Sequence, residues 1–200
     1  MIRLAALALA VIGLVSAPAL AGKYNKVLSI GDKAPAFSKL PGTDDKPMSF
    51  ADVKDDVVVV AITCNKCPVA VDYEDRIIAL QKKYQGKVSV IAINVNLAEA
   101  DGIDKMKERA KEKGFNFPYL MDESQEIGRA LGASRTPEFF VINKDRKVAY
   151  MGALDNDPSG EKVTKKYIED AIESLLAGKE IAVTETAAVG CGVGYAKKLK

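Results

Sequence analysis

Two long apolar runs rich in β-branched residues, Val57–Thr63 and Val88–Asn94, constrain the fold of this chain more than any other feature. A run without polar alternation is typical of a strand buried on both faces in a parallel sheet. Between the runs, apolar residues recur at helical spacing after Pro68, and Gly86 ends that pattern. Proline is tolerated in a first helical turn because its missing N–H would have no partner there. Strand, helix and strand therefore predict one right-handed βαβ unit.

The remainder of the chain predicts further short elements of both kinds. Amphipathic or charged stretches predict three more helices, over residues 104–113, 123–131 and 163–176. Two apolar runs, residues 139–142 and 148–151, predict an antiparallel hairpin. Residues 22–55 are rich in turns, and residues 178–200 are predicted to be a flexible tail that carries Cys191. The sequence has no internal repeat and no clear linker, so residues 22–177 are predicted to form one α/β domain.

The first 21 residues have the features of a secretory signal peptide. Arg3 gives a short positive region, residues 4–15 are apolar, and Ala19-Leu20-Ala21 supplies small residues for cleavage before Gly22. The apolar stretch is too short to span a bilayer, which takes about 20 residues. An uncleaved anchor is the alternative. We expect residues 1–21 to be removed and the mature protein to be exported, to the periplasm or as a secreted protein, without stable membrane insertion.

The composition excludes several classes of function. With 29 basic and 27 acidic residues the formal net charge is +2, which lacks the clustered basic excess that nucleic-acid binding needs. The chain contains no histidine, which excludes Ser-His-Asp and Cys-His catalysis, histidine-ligated metal sites and C-x-x-C-H haem attachment. Three cysteines remain, Cys64, Cys67 and Cys191. An odd number of thiols in an oxidising compartment indicates redox chemistry or an intermolecular partner.

The segment Cys64-Asn65-Lys66-Cys67 lies where the first predicted strand ends and the helix begins. The unpaired N–H groups and partial positive charge of a helix N-terminus favour a thiolate, and the Lys66 cation adds to this if it lies near the sulfur. A spacing of two residues brings both sulfurs within disulfide reach. We therefore expect Cys64 to point outward with a lowered pKa and to attack a substrate disulfide. The more covered Cys67 would then resolve the mixed disulfide.

Other roles of the cysteines are open. One is a static disulfide, although such bridges usually tie distant segments. A zinc site needs four ligands, and this chain offers three cysteines and no histidine. Soft Cu(I) binding by two or three thiolates would make the protein a metal carrier. Cys191 itself is a candidate second resolving thiol, a link between two chains, or an exposed thiol without a role.

The order of these features resembles the thioredoxin superfamily. A buried strand, a C-x-x-C followed by Pro68 and a helix, and Thr136-Pro137 ahead of a hairpin and a last helix match its pattern. The resemblance implies an α/β, thioredoxin-like fold with a central mixed β-sheet flanked by helices, and we expect neither cofactor nor metal. It also implies that Pro137 is cis and faces the cysteines, and that the Thr136 backbone binds the substrate chain as an added strand. From the residues alone, Pro137 is equally compatible with a plain turn.

More specific motifs resemble the redoxin branch of that superfamily, which includes peroxiredoxins and exported thiol-disulfide oxidoreductases. Residues 31–37 match its G-x-x-A-P-x-F opening. Residues 63–69, residues 117–125 and Gly190-Cys191 resemble a bacterial peroxiredoxin-like subgroup.

Departures from the family patterns limit the expected activity. Peroxiredoxins carry a Pro and a Thr where Val57 and Ala61 stand, and Arg135 is out of register with their arginine. Since these polar groups stabilise the developing oxyanion, we expect no fast peroxidase. Thioredoxin has a Trp and a buried acid where Thr63 and Val58 stand, so the usual proton acceptor for the inner thiol is missing and slower exchange is expected.

Three functions follow as hypotheses. The first is an exported thiol-disulfide oxidoreductase with Cys64 as nucleophile, Cys67 as resolving thiol and Thr136-Pro137 as the substrate-positioning segment. Its partners would be protein or small-molecule disulfides and thiols, with an external electron donor or acceptor. The alternative is a thiol peroxidase in which Cys64 is oxidised to sulfenic acid and Cys67 or Cys191 resolves it. The third is a Cu(I) carrier.

Overall fold

A computed structural model describes residues 22–197, so the predicted signal peptide, residues 1–21, lies outside the described residues. The strands are β1 (Leu40–Pro41), β2 (Pro47–Met48), β3 (Val57–Thr63), β4 (Val88–Asn94), β5 (Tyr119–Met121), β6 (Arg135–Thr136), β7 (Glu138–Ile142), β8 (Val148–Gly152) and β9 (Cys191–Gly192). The α-helices are α1 (Pro68–Lys83), α2 (Ile103–Lys113), α3 (Glu126–Leu131) and α4 (Tyr167–Leu176). Within this described part of the chain, no helix has the length and apolar character needed to cross a bilayer.

Five strands form the central sheet, in the order β5-β4-β3-β7-β8. At its centre β3 pairs in parallel with β4, from Val57 opposite Val88 to Thr63 opposite Asn94. β7 runs antiparallel to β3, and β8 runs antiparallel to β7, so the sheet is mixed. The predicted βαβ unit, the hairpin and the α/β class are all confirmed.

Both faces of the sheet are covered, which is why β3 is apolar along its whole length. Alternate residues of β3 pack on opposite sides: Val59 lies in the core that includes residues of α1 and α4, and Val60 lies in the core that includes residues of α3 and the N-terminal segment. Every residue of the strand is buried. Burial of one such side chain contributes about 1.5–3 kcal/mol. The end of β3 is therefore a firmly held position for the cysteine that follows it.

The predicted elements differ from the structure mainly at their ends. α4 begins at Tyr167 and not at the predicted residue 163. Asn156 explains the late start, since its Oδ1 accepts the N–H groups of Thr164 at 2.9 Å and Lys165 at 2.8 Å. Such side-chain bonds compete with helix formation. The short strands β1, β2, β5, β6 and β9 were not predicted, because two or three residues give no periodic pattern.

The segment after Gly178 has little regular structure, as predicted for a tail, but it does not extend freely from the domain. β9 pairs antiparallel with β6, which sets Cys191 opposite Thr136 and Gly192 opposite Arg135. Further backbone hydrogen bonds join the segment to β8. The boundary at residue 177 remains a prediction. The flexibility of the tail likewise remains a prediction, although backbone groups of its described part are bonded to β6 and β8.

Candidate active site

The cysteine pair lies at the carboxyl end of β3, where the chain turns into α1. Cys67 is the N-cap of α1 and Pro68 is its first residue, as the sequence predicts. Both cysteines are buried, each with 3% of its surface exposed. The prediction that Cys64 points outward is therefore wrong, and Cys67 is not the more covered of the two.

Thr136 is the residue that covers both sulfurs. The Cys64 thiol donates to Thr136 Oγ1 at 3.4 Å, and the Cys67 thiol donates to the Thr136 carbonyl oxygen at 3.1 Å. Thr136 is itself fully buried, and the Thr136–Pro137 peptide is cis, as the resemblance implies. The predicted positioning segment and the predicted cysteine pair are thus in direct contact.

The third cysteine joins the same cluster. Cys191 is the residue opposite Thr136 in the β6–β9 pair, and the Cys191 side chain and backbone both act to lower the pKa of Cys67. Unlike the other two cysteines, Cys191 is exposed. The close approach requires glycine at position 190, because a Cβ there would lie 2.1 Å from the Thr136 carbonyl oxygen. The structure brings all three cysteines together around one threonine.

Burial raises the pKa of the Cys64 thiol above its ordinary value. Hydrogen bonds from the Thr136 hydroxyl and the Cys67 backbone oppose this shift without cancelling it, and the Asp101 carboxylate adds to it. The predicted lowering of the Cys64 pKa is therefore wrong. The physical reason is that the free-energy cost of removing a thiolate from water exceeds the stabilisation that the helix N-terminus gives to its charge.

The opposite holds for Cys67, whose pKa is lowered. Burial alone would raise it, but hydrogen bonds from the Cys191 side chain, the Ala70 backbone, the Cys191 backbone and the Thr136 side chain outweigh that effect. The contact with Cys67 is also the main cause that raises the pKa of Cys191 to about 11, because the Cys191 proton stabilises a negative charge on Cys67. Of the three thiols, Cys67 ionises most readily.

Asp101 is a site residue that the sequence reasoning missed. It is 1% exposed, and its Oδ1 accepts the backbone N–H groups of Asn65 at 2.8 Å and Lys66 at 3.0 Å. Its Oδ2 is buried and has no hydrogen-bond partner among the described residues. The N–H groups between the two cysteines are therefore directed at a carboxylate and not at a sulfur. The available signal was an acidic residue soon after β4, because the carboxyl ends of neighbouring parallel strands meet at one edge of a sheet.

Three of the positions that depart from the family patterns, Val57, Val58 and Ala61, offer no polar side chain to the cysteines. Val57 and Ala61 lie in the apolar core on one face of the sheet, and Val58 lies in the core on the other face. Arg135 Nη1 donates to the Gly190 carbonyl oxygen at 3.3 Å, so this arginine binds the C-terminal segment. Among residues 22–197, no group of three or more cysteine or carboxylate side chains is arranged to hold a metal ion, and the Cu(I) hypothesis gains no support.

Comparison with known proteins assigns the chain to a family. A family model described as Redoxin matches residues 29–172. The chain belongs to the Redoxin family. No protein of curated function matches the sequence of this redoxin.

Solved structures agree with the assignment. The redoxin is similar to an uncharacterized conserved protein from Geobacillus kaustophilus, with 33% identity and a TM-score of 0.81 over 88% of this chain and 96% of that chain. It is also similar to a hypothetical protein from Sinorhizobium meliloti 1021, with 30% identity and a TM-score of 0.80 over 86% and 97% of the two chains. The peroxidoxin BcpB from Mycobacterium tuberculosis has 21% identity and a TM-score of 0.58 over 74% and 96%, a likeness of fold.

These comparisons confirm the thioredoxin-like fold and the resemblance to the redoxin branch. Family membership together with a buried cysteine pair supports redox activity in general.

Proposed function

We propose that this redoxin is an exported thiol-disulfide oxidoreductase that uses Cys64 and Cys67 for dithiol-disulfide exchange. The observation that carries the proposal is that Thr136 contacts both sulfurs while their pKa values move in opposite directions. Exchange needs one thiolate that attacks a disulfide and one thiol that resolves the resulting mixed disulfide. In this site Cys67 supplies the thiolate and Cys64 the resolving thiol, which reverses the order predicted from the sequence.

Thr136 and Pro137 are the proposed substrate-positioning segment. The substrate would be a protein or small-molecule disulfide or thiol, and an external electron donor or acceptor would return the pair to its starting state. A polypeptide substrate would pair with the backbone of β6 as an added strand in place of β9. Export is proposed from the signal-peptide pattern of residues 1–21 and fits an activity on disulfides, which form and persist in oxidising compartments.

The proposal is tested by reducing the disulfides of insulin with dithiothreitol in the presence of catalytic amounts of purified protein. Cys67→Ser is expected to lose the catalysed rate because it removes the attacking sulfur. Cys64→Ser, combined with Cys191→Ser so that no other thiol of the chain replaces Cys64, is expected to lose turnover and to accumulate a mixed disulfide on Cys67, since the resolving thiol is gone. Circular dichroism verifies that both variants are folded. Turnover equal to wild type in both variants would end the proposal.

The peroxidase alternative is tested separately. Val57 and Ala61 offer no hydrogen-bond donor to a bound peroxide, and the Arg135 side chain is bonded to Gly190. Because oxyanion stabilisation by fixed donors supplies much of such a rate, we expect hydrogen peroxide to oxidise this protein no faster than free cysteine at matched pH. A stopped-flow rate well above that of free cysteine would instead favour the peroxidase.

A further inference from the structure

We propose that Cys191 is a third exchange thiol, which forms a disulfide with Cys67 while β9 lies along the Thr136–Pro137 segment as a substrate strand would. The inference rests on the proposed function and deepens it by naming how the buried pair reaches its partners. It starts from the convergence of Cys191, Cys67 and Thr136 in the structure.

The position of β9 is that of a strand added to the edge of β6. Cys191 lies opposite Thr136, and the N–H of Val193 donates to the Ser134 carbonyl oxygen at 3.1 Å. The Thr136 carbonyl oxygen also lies 3.1 Å from Cys67 Sγ. The cysteine of β9 therefore occupies the place beside Cys67 that the cysteine of an added substrate strand would take.

The segment is held on both sides of Cys191. Downstream, Gln125 Nε2 donates to the Gly194 carbonyl oxygen at 3.0 Å, and the Tyr195 hydroxyl donates to the Ala133 carbonyl oxygen at 2.8 Å. Upstream, Thr186 Oγ1 accepts the N–H of Ala153 at 2.9 Å. A thiol fixed in this way has a high effective concentration at Cys67, since folding has already restricted the motion of the segment that carries Cys191.

Cys191 is the thiol of this cluster that external partners can reach. Cys64 and Cys67 are each 3% exposed, whereas Cys191 is open to solvent. A Cys67–Cys191 disulfide would place one sulfur of the exchanging bond where an external thiol can attack it. The buried pair would then react with partners without unfolding of β3 or α1.

The proposed steps balance as follows. In the oxidised protein, the Cys191 thiolate attacks Cys67 Sγ, which forms the Cys67–Cys191 bond and breaks the Cys64–Cys67 bond. Cys64 leaves as a thiolate and takes up the proton that Cys191 released. One thiolate of an external dithiol then attacks Cys191 Sγ, and Cys67 leaves as a thiolate. The second external thiol resolves the mixed disulfide, so the dithiol is oxidised by two electrons and Cys64 and Cys67 are reduced. The reverse sequence oxidises the protein with an external disulfide.

The acidities of the thiols fit these steps. In the second step Cys67 leaves from its disulfide with Cys191, and the Ala70 backbone and Thr136 side chain, which both lower the pKa of Cys67, still stabilise its thiolate. A thiol of raised pKa is the better proton acceptor, and the pKa of Cys64 is raised. The first cause that raises the pKa of Cys191 is its contact with the Cys67 sulfur, and this cause is removed once Cys67 is in a disulfide.

The test is disulfide mapping of the full mature chain after oxidation with glutathione disulfide. Trypsin places the three cysteines on three separate peptides, residues 55–66, 67–76 and 180–197, so each pairing has its own mass. In Cys64→Ser, where Cys64 cannot compete, we expect peptides 67–76 and 180–197 to be linked. The yield should not change when the protein is diluted about tenfold, because the reaction is intramolecular.

Two glycines provide a matched pair of variants. In Gly190→Ala a Cβ would lie 2.1 Å from the Thr136 carbonyl oxygen, so β9 cannot dock and the Cys67–Cys191 link should form about tenfold more slowly or worse. In Gly192→Ala the Cβ meets nothing within 4 Å, so the rate should stay at its starting value.

The outcomes separate this inference from the proposed function. If wild type forms the Cys64–Cys67 disulfide, and Cys191 stays free in both wild type and Cys64→Ser, the inference is wrong and the exchange activity stands. Links between Cys191 residues of two chains, lost on dilution, would also overturn it. If neither Cys64 nor Cys67 forms any disulfide in wild type, the proposed function fails and the inference fails with it.

Discussion

The acidity of Cys67 depends on Cys191, and replacing Cys191 tests this dependence. The thiolate is the reactive form in alkylation. A thiol that titrates above its ordinary value of 9.0, as Cys64 does, is less than about 1% ionised at pH 7. The pKa of Cys67 is lowered, so its ionised fraction at that pH is larger. We therefore expect Cys67 to gain its reactivity at a lower pH than Cys64.

The size of the Cys191 effect follows from its hydrogen bond. A hydrogen bond to a charged group contributes about 1.5–3 kcal/mol. The lower end applies here, because S–H is a weak donor and water reaches the exposed Cys191. About 1.4 kcal/mol corresponds to a factor of ten. Cys191→Ala should therefore slow the alkylation of Cys67 about tenfold at pH values where Cys67 is mostly protonated. Cys191→Ser keeps a donor and should restore much of the rate.

The assay is reaction with iodoacetamide from about pH 5 to about pH 10, followed by acid quench, trypsin and quantification of peptides 55–66 and 67–76. The rate at fixed low pH is compared between the variants. The midpoint of each pH profile then separates a change in acidity from a change in access to Cys67, because removal of the Cys191 side chain alters both. The reasoning is refuted if Cys64 titrates at lower pH than Cys67. It is refuted equally if Cys191→Ala leaves the Cys67 midpoint in place.

Three further changes give predictions of known sign. Asp101→Asn keeps an oxygen for the N–H groups of the active-site turn but removes the charge that raises the pKa of Cys64, so alkylation of Cys64 at fixed pH should be faster by about two- to tenfold. Thr136→Val removes the hydroxyl that stabilises a Cys64 thiolate and should slow the same reaction by about two- to tenfold, measured by the same peptide mapping. Arg109→Met removes the two hydrogen bonds, of 2.8 and 2.7 Å, that Arg109 donates to the buried Glu74 carboxylate. The free energy of unfolding, measured by urea denaturation, should fall by about 3 kcal/mol. A double variant that also carries Glu74→Gln should recover part of this loss, because no unpaired charge is then buried.

The fold could be predicted from the sequence where one periodic pattern was long enough. β3 and β4 have the predicted bounds, because a continuous β-branched run between turn residues has few other solutions. The pairing of β6 with β9 had no such pattern. It joins two residues to two others far away in the chain, and it depends on the close approach of Gly190 to the Thr136 carbonyl oxygen.

The sequence predicted most residues of the candidate site, but not Asp101 and not the acidities of the cysteines. Cys64, Cys67, Thr136 and Pro137 were identified from motif and order, and all lie together in the structure. The acidity of Cys64 was predicted with the wrong sign, because the helix argument counts local N–H groups and cannot count burial. Burial of both thiols results from contacts with residues distant in sequence, which no local pattern encodes.

Asp101 and Cys191 together explain why the two thiols of one short turn differ. The Asp101 carboxylate takes the N–H groups of Asn65 and Lys66 and adds a negative charge that disfavours a thiolate on Cys64. On the other side, Cys191 provides Cys67 with donors that favour a thiolate there. Two thiolates in such a turn would repel each other, and two thiols would both be unreactive. A charge held on one sulfur and a proton held on the other is the state from which attack and resolution can follow in order. The C-terminal segment therefore contributes to the difference in acidity between Cys64 and Cys67. A variant that ends before this segment should lose that difference while its sheet and helices remain folded.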